Sequence, residues 1–217
     1  DLKATGAKVR YFGGTAYMDY FTSTGILDPA QVDGSYDGTP ANFVADGGKS
    51  AQQGFATSEP YFYENVLTDW GKPVAYQTIH DAGWTSYAQT LAAKPETIVS
   101  AADCLKLLVP IIQQAQVDYV ADPSTTNALI LDLVAQYNNG WMYDAGQADA
   151  AVALALENGL IANSPDGTLG SFDSQRMDEF LALAIPIFEG LGEKLKPGLT
   201  SADLATNQFI DPTIALP

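Results

Sequence analysis

Basic residues, cysteine and histidine are all scarce in this chain of 217 residues. Ten lysines and arginines stand against 26 aspartates and glutamates, which gives a formal net charge of −16. This balance argues against nucleic acid or an anionic membrane surface as a partner, because both are bound through basic patches. The single cysteine, Cys104, and the single histidine, His80, exclude an internal disulfide and leave little for metal chemistry. We therefore expect no metal site and no cofactor.

Long uncharged apolar runs are also missing, so we expect no membrane-spanning segment. The length suits one large domain or two small lobes. The sequence starts abruptly and shows no signal-peptide pattern, so we expect it to be a mature or trimmed fragment.

The first 60 residues alternate between strand and helix patterns. Residues 8–12, 31–36 and 54–57 are predicted strands, and residues 16–24 and 41–45 are predicted helices. A β-α-β-α-β order is typical of a parallel sheet with right-handed crossovers. The turns that follow the three strands are then expected to share one edge of the sheet.

Polar groups follow each predicted strand at that shared edge. After the first strand, the backbone N–H groups of Gly14, Thr15 and Ala16 are free to bind a ligand oxygen at a helix start. Asp37 follows the second strand, and Glu59 is predicted to end the third because Pro60 cannot donate to a β-ladder. The alternative is that Glu59 is an exposed loop residue, that the aromatic residues after it belong to the core, and that the glycine turn binds nothing.

The predicted structure changes from strands to helices at Pro95, after two further extended pieces. Residues 73–79 are a further strand candidate leading to Asp81, and residues 88–92 are a shorter extended piece. Helices are predicted from residue 100 to the Asp122-Pro123 pair, at 127–137, at 147–157, after the cap Asp173 and at 201–205. These helices either pack on each other or cover strands that belong to a missing N-terminal piece, and we favour the missing piece.

The order of these features resembles a known family. The run Asp1-Leu2-Lys3 followed by Lys8-Val9, the glycine-threonine turn, the strand ending in Val32-Asp33, and Ser58-Glu59-Pro60 are similar to the periplasmic-type solute-binding proteins of ABC importers. The branch is the one that includes nitrate, sulfonate, taurine and thiamine-precursor binders. The resemblance implies an α/β fold of the type 2 periplasmic binding proteins. Residues 1–60 would form the second lobe, and residues 61–217 the hinge return and the helix-rich completion of the first lobe.

The resemblance also implies a function and a set of site residues. It implies an extracytoplasmic protein, periplasmic or anchored at the cell surface, that closes over a small solute by hinge motion and delivers it to a membrane permease. The resemblance carries over Gly14, Thr15, Ala16, Ser58 and Glu59. Their positions at strand ends add four further candidates, namely Tyr17, Asp37, Tyr61 and Asp81. Since no lysine or arginine lies between Arg10 and Lys49, these carboxylates and tyrosines suit a neutral or cationic, heterocyclic solute better than an anion.

Two other classes of function stay open. One is an enzyme: either a thiamine-pyrimidine synthase of the same fold, or a hydrolase using Glu59 with Asp37 or Asp81. The lone His80 and Cys104 count against the synthase, and the hydrolase needs a raised pKa on one carboxyl group. The other is an interaction module, in which apolar surface left by the missing piece drives dimerisation.

Overall fold

The computed structural model describes residues 2–217 and divides the chain into two units. Unit 1 comprises Asp1–Thr85 and Phe180–Gly198, and unit 2 comprises Ser86–Glu179 and Leu199–Pro217. The chain is therefore a mixed α/β protein, with its β-sheet in unit 1 and most of its helical residues in unit 2. The predicted assignment of residues 1–60 and 61–217 to two lobes of a larger protein stays a prediction.

The sheet of unit 1 has three short parallel strands in the order β2-β1-β3. Val9–Arg10 (β1) pairs with Val32–Asp33 (β2) on one side and with Ala51–Gln52 (β3) on the other. The pairing extends past the strand ends, since the N–H groups of Tyr11 and Gln53 donate to the carbonyls of Asp33 and Arg10 at 3.0 and 2.8 Å. The predicted parallel sheet is confirmed.

The helices between these strands also agree with the sequence pattern. These helices are α2, Ala16–Ser23, and α3, Ala41–Ala45, whereas a short helix before β1, α1 at Leu2–Thr5, was not predicted. Met18 and Phe21 of α2 are buried with Val9, Leu27, Trp84 and Ala184 in the core of unit 1. Because side chains alternate along a strand, Val9 faces this core while Arg10 points to the other face, where its Nη1 donates to Ser50 Oγ at 2.6 Å.

The third strand lies earlier than predicted. Residues 54–57 are not a strand: the N–H groups of Ser58 and Glu59 donate back to the Phe55 carbonyl, and Glu59–Tyr61 begins a short helix, α4. Pro60 sits in the first turn of that helix, where a missing N–H costs nothing. Pro60, predicted to follow the end of a strand, therefore lies at the start of a helix. A π-helical turn, Phe62–Val66, follows at once.

The two further strand candidates are also wrong. Residues 73–79 form no strand; Ile79 instead enters the core of unit 1 through a turn in which the Trp84 N–H donates to the Ile79 carbonyl at 3.1 Å. Residues 88–92 contain Gln89 at φ 56°, a left-handed conformation that interrupts an extended strand.

Unit 2 is built from helices whose positions follow the predicted ones closely. They are Pro95–Ser100 (α5), Ala102–Ala121 (α6), Ser124–Tyr137 (α7), Ala145–Glu157 (α8), Ser174–Gly190 (α9, whose last residues belong to unit 1) and Ser201–Leu204 (α10). α6 continues through Pro110 and ends before Asp122-Pro123, and Asp173 Oδ1 caps α9 by accepting from the Arg176 N–H at 2.6 Å. α7 packs on α8, where Asn127 reaches Asp149. The expected missing strands stay a prediction.

Candidate functional site

The turn after β1 leaves backbone donors open at the start of α2. Gly14 has φ 85°, and Thr15 is extended with no side-chain capping bond, because its hydroxyl donates to the Phe12 carbonyl at 3.3 Å. Within residues 2–217, the N–H groups of Gly14, Thr15 and Ala16 have no hydrogen-bond acceptor. Free N–H groups at a helix N-terminus attract the oxygen atoms of a ligand. The predicted donors are therefore present and open.

The turns after β1 and β2 lie against each other. A Cβ atom on Gly13 would lie 2.9 Å from the Gly34 carbonyl oxygen, so only glycine fits at this approach. Phe12 bridges to Ser35, and the rings of Phe12 and Tyr36 are 4.9 Å apart. The carboxyl ends of the two strands are thus joined into one edge.

Gln53 ties the turn after β3 to the same edge. Its Oε1 accepts from the Tyr17 hydroxyl at 2.6 Å and from the Phe12 N–H at 3.0 Å. Burial raises the pKa of Tyr17, against a smaller lowering by the Thr15 side chain. Tyr17 is therefore brought to the predicted edge, and Gln53 is a site residue that the sequence analysis missed.

The second face of the sheet carries a polar and aromatic layer that was also missed. Gln52 Nε2 donates to the hydroxyl oxygens of Tyr36 and Tyr63 at 2.9 and 2.7 Å, while its Oε1 is buried without a partner among the described residues. Burial raises the pKa of Tyr36 to about 12, with Glu59 and Asp37 adding to the shift, and burial also raises the pKa of Tyr63. The sequence feature that could have indicated these polar residues is the Gln52-Gln53 pair at a strand end. Adjacent strand residues point to opposite faces, so the pair places a polar side chain on each face.

The two predicted carboxylates at this edge already have backbone partners. Asp37 is exposed, and its Oδ1 accepts from the N–H and the hydroxyl of Thr39 at 2.9 and 2.8 Å; these bonds lower the pKa of Asp37. Glu59 is not at a strand end: its Oε2 accepts from the Phe55 N–H at 2.6 Å and closes the 55–59 loop. A lowered pKa on Asp37 is the opposite of what a general acid requires.

The remaining predicted residues lie elsewhere in unit 1. Ser58 precedes α4 and Tyr61 is its last residue, and the Ser58 carbonyl accepts from the Phe62 N–H at 3.0 Å. The Asp81 side chain is 67% exposed, and its carboxylate lies 3.8 Å from the His80 ring. Across the described part of the chain, no hydrogen bond or ion pair joins Asp81 to the three turns. The contacts of Asp81 are instead with its chain neighbours Thr78 and His80.

A surface depression of about 700 Å³ lies at the opposite end of the strands. Lys8, Asp46, Lys49 and Ser50 are among its lining residues, and they precede β1 and β3. None of the predicted site residues lines it. Over residues 2–217, no three histidine, cysteine, aspartate or glutamate side chains are grouped so that they could hold a metal ion. No helix in the same range is both long and apolar enough to cross a membrane.

Comparison of the chain with protein-family models, with curated proteins and with solved structures gave no match.

Proposed function

We propose that the chain is part of the solute-binding protein of an ABC importer, with the fold of the type 2 periplasmic binding proteins. It captures a small organic solute outside the cytoplasm, without catalysing a reaction, and delivers it to the membrane permease. The observation that supports this best is the carboxyl edge of the parallel sheet, where the N–H groups of Gly14, Thr15 and Ala16 are open. Ligands of open α/β sheets bind at such edges.

The other groups at this edge favour a particular kind of solute. The Tyr17 hydroxyl and the Gln53 amide form a fixed pair beside the open N–H groups, ready to orient a polar ligand. The charged side chains at or after the ends of β2 and β3 are the carboxylates Asp33, Asp37 and Glu59, each of which already accepts one backbone N–H. Arg10 is turned to the other face, 3.5 Å from Asp46. A neutral or cationic solute with one exposed acceptor oxygen suits this edge better than a simple anion.

The first experiment is native mass spectrometry of the protein purified from a rich expression host, followed by calorimetric titration. The titration uses two groups of compounds. The first group contains amines and pyrimidines, and the second contains nitrate and alkyl sulfonates. We expect a stoichiometric small-molecule adduct and binding of members of the first group. Absence of any adduct and of any binding would overturn the binding function, whereas tight binding of sulfonates alone would overturn only the solute class.

Two glycines provide a matched pair for locating the site. Gly14 and Gly6 have φ 85° and 66°, and a Cβ atom on either would meet nothing within 4 Å. Gly14→Ala and Gly6→Ala therefore carry a similar backbone strain, but only Gly14→Ala places a methyl group at the open N–H groups. We expect Gly14→Ala to weaken binding about tenfold, a loss of about 1.4 kcal/mol. Equal affinities in the two variants would place the solute elsewhere.

A further inference from the structure

Two Asn-Gly pairs occur in the chain, Asn139-Gly140 and Asn158-Gly159. Asparagine is thermolabile because its side-chain amide can be lost, and a following glycine favours that loss since it has no Cβ atom to shield the backbone nitrogen that attacks the amide. The first pair lies just beyond the end of α7, and the second just beyond the end of α8. The two pairs therefore share the same local chemistry and differ in their surroundings.

At Asn139 both reacting groups are open. Asn139 and Gly140 are exposed in the loop between α7 and α8, and the neighbouring side chains of Tyr137 and Trp141 are 76% and 56% exposed. Among residues 2–217, neither the Gly140 N–H nor the Asn139 Nδ2 has a hydrogen-bond acceptor. No hydrogen bond in the described part of the chain therefore restrains the attacking nitrogen or the leaving group.

A hydrogen bond to the Asn139 side chain favours the reaction. Its Oδ1 accepts from the Trp141 N–H at 3.2 Å, an Asx-turn that bends the side chain over the Gly140 peptide. When the amide carbon Cγ is attacked, this oxygen becomes negative, and a backbone N–H that already points at it stabilises the charge. Gly140 has φ 87°, a conformation that glycine adopts readily, so the turn forms without strain.

At Asn158 the same groups are occupied. The Asn158 Nδ2 donates to the Leu154 carbonyl at 2.8 Å, and the Gly159 N–H donates to the Leu156 carbonyl at 3.1 Å. Asn158 is also half-buried, whereas Asn139 is exposed. Attack at Asn158 has to break both hydrogen bonds, because the nitrogen must lose its proton and the amide must turn toward it. Asn158-Gly159 is therefore a protected pair in the same molecule.

We propose that Asn139 is a site of spontaneous modification, at which the side-chain amide is lost through a succinimide. The Gly140 nitrogen gives its proton to a base in the solvent and bonds to Asn139 Cγ. The Cγ–Nδ2 bond breaks, and Nδ2 takes up a proton and leaves as ammonia. Water then opens the ring at either carbonyl and gives aspartate or isoaspartate, so that one water is consumed, one ammonia is released and nothing is oxidised. The inference is independent of the proposed solute binding.

The modification changes both the charge and the backbone of the loop. Either product adds one negative charge to a chain that carries −16. Isoaspartate also routes the main chain through the side chain, which inserts one methylene group directly after Asn138, the left-handed cap of α7. The stacked rings of Trp141 and Tyr143, 4.9 Å apart, follow in the same loop. We therefore expect isoaspartate to disturb this aromatic pair.

Peptide mapping by mass spectrometry tests the proposal on the folded protein, incubated at mildly alkaline pH. The mass reports the loss of the amide, chromatography separates isoaspartate from aspartate, and a zero-time sample gives the amount formed during digestion. We expect Asn139 to react at least about tenfold faster than Asn158, a difference of about 1.4 kcal/mol in activation free energy. The rate at Asn139 rises with pH, because the attacking nitrogen must lose its proton. In urea-unfolded protein the rates at the two sites converge.

Two glycine variants provide a matched control. Gly140 and Gly159 have φ 87° and 63°, and a Cβ atom on either would meet nothing within 4 Å, so alanine causes a similar backbone strain at both positions. We expect Gly140→Ala to slow the modification of Asn139 at least about tenfold and Gly159→Ala to leave that rate unchanged. Equal rates at Asn139 and Asn158 in the folded wild type, or a rate at Asn139 that Gly140→Ala does not lower, would overturn the proposal.

Discussion

Gln113 and Asp211, 98 positions apart in the chain, exchange two hydrogen bonds. The Gln113 Nε2 donates to the Asp211 carbonyl at 3.3 Å, and the Asp211 N–H donates to Gln113 Oε1 at 2.9 Å. The same amide also reaches the Leu169 carbonyl. One buried side chain on α6 thus supplies hydrogen-bond partners to the backbone of two separate segments, one at Leu169 and one at Asp211. The side chains of Asn163 and Asn207 bind the peptide groups of Leu216 and Phe172 in the same two-bond manner.

Replacing this amide will destabilise unit 2. Gln113→Leu keeps the volume but leaves the Asp211 N–H and the Leu169 carbonyl without these partners, whereas the Asp211 carbonyl still accepts from the Ile214 N–H. We therefore expect a loss of about 2–4 kcal/mol in the free energy of unfolding. Urea denaturation measures it as a lower midpoint with an unchanged slope. The control is Gln114→Leu on the exposed side of α6, for which we expect a change within about 0.5 kcal/mol. Equal midpoints for the two variants would contradict the role of Gln113.

The elements that were predicted well are those whose ends are fixed by local chemistry. α2 follows a glycine turn, α6 ends before Asp122-Pro123, and α9 begins after the cap Asp173. Each of these signals acts through atoms within four residues along the chain, so the sequence displays it directly. The parallel orientation of the strands followed from the alternation of strand and helix patterns, although β3 lies at Ala51–Gln52 and not at 54–57.

The features that were missed either have a local signal that fits two structures or depend on partners far along the chain. The Glu59-Pro60 pair fits both a strand end and a helix start, and the Phe55 N–H, which binds the Glu59 carboxylate, decides between them. The site residue Gln53 gains its role from Tyr17, 36 positions away. No local pattern reports such a contact, although the Gln52-Gln53 pair at a strand end indicated polar groups on both faces.

Gly48→Ala will be far more harmful than Gly47→Ala. Both glycines have positive φ, 77° and 71°, so alanine at either position costs about 1 kcal/mol in backbone strain. At Gly48 the added Cβ also lies 2.5 Å from the Trp70 ring, whereas at Gly47 it meets nothing within 4 Å. We expect Gly48→Ala to lose at least about 2 kcal/mol more than Gly47→Ala, measured by urea denaturation. Equal urea midpoints for the two variants would contradict this prediction, because they would show that the Trp70 ring moves away from the added methyl group without cost.

Alkaline pH will destabilise the folded protein through Tyr36. Its pKa is raised to about 12 in the folded state, so the unfolded chain releases the proton first as the pH rises. The contribution of Tyr36 to the free energy of unfolding is therefore fully present below about pH 10. It is lost between about pH 10 and 12, where the free energy of unfolding falls by at most about 1.4 kcal/mol per pH unit. Urea denaturation of wild type and Tyr36→Phe at several pH values measures it. Identical pH slopes in the two proteins would contradict the raised pKa.

Arg10 and Asp46 will show a coupling that disappears in acid. Burial alone would raise the pKa of Asp46, but hydrogen bonds from Ser50, the Lys49 N–H and Arg10 lower it overall. A lowered pKa means that the stabilisation is present above the unfolded value of about 4 and is lost as the pH falls through the folded value. The side chains of Arg10 and Asp46 are 17% and 30% exposed and 3.5 Å apart.

A double-mutant cycle with Arg10→Met and Asp46→Asn isolates this pair from the other bonds of Asp46. We expect a coupling of about 0.5–1.5 kcal/mol at neutral pH, because the pair is only partly shielded from water, and a smaller value near pH 3. Arg10 also donates to Ser50, so Ser50→Ala in the same background separates that bond from the ion pair. A coupling that stays constant from neutral to acid pH would assign the interaction to packing of the two side chains instead of to their charges.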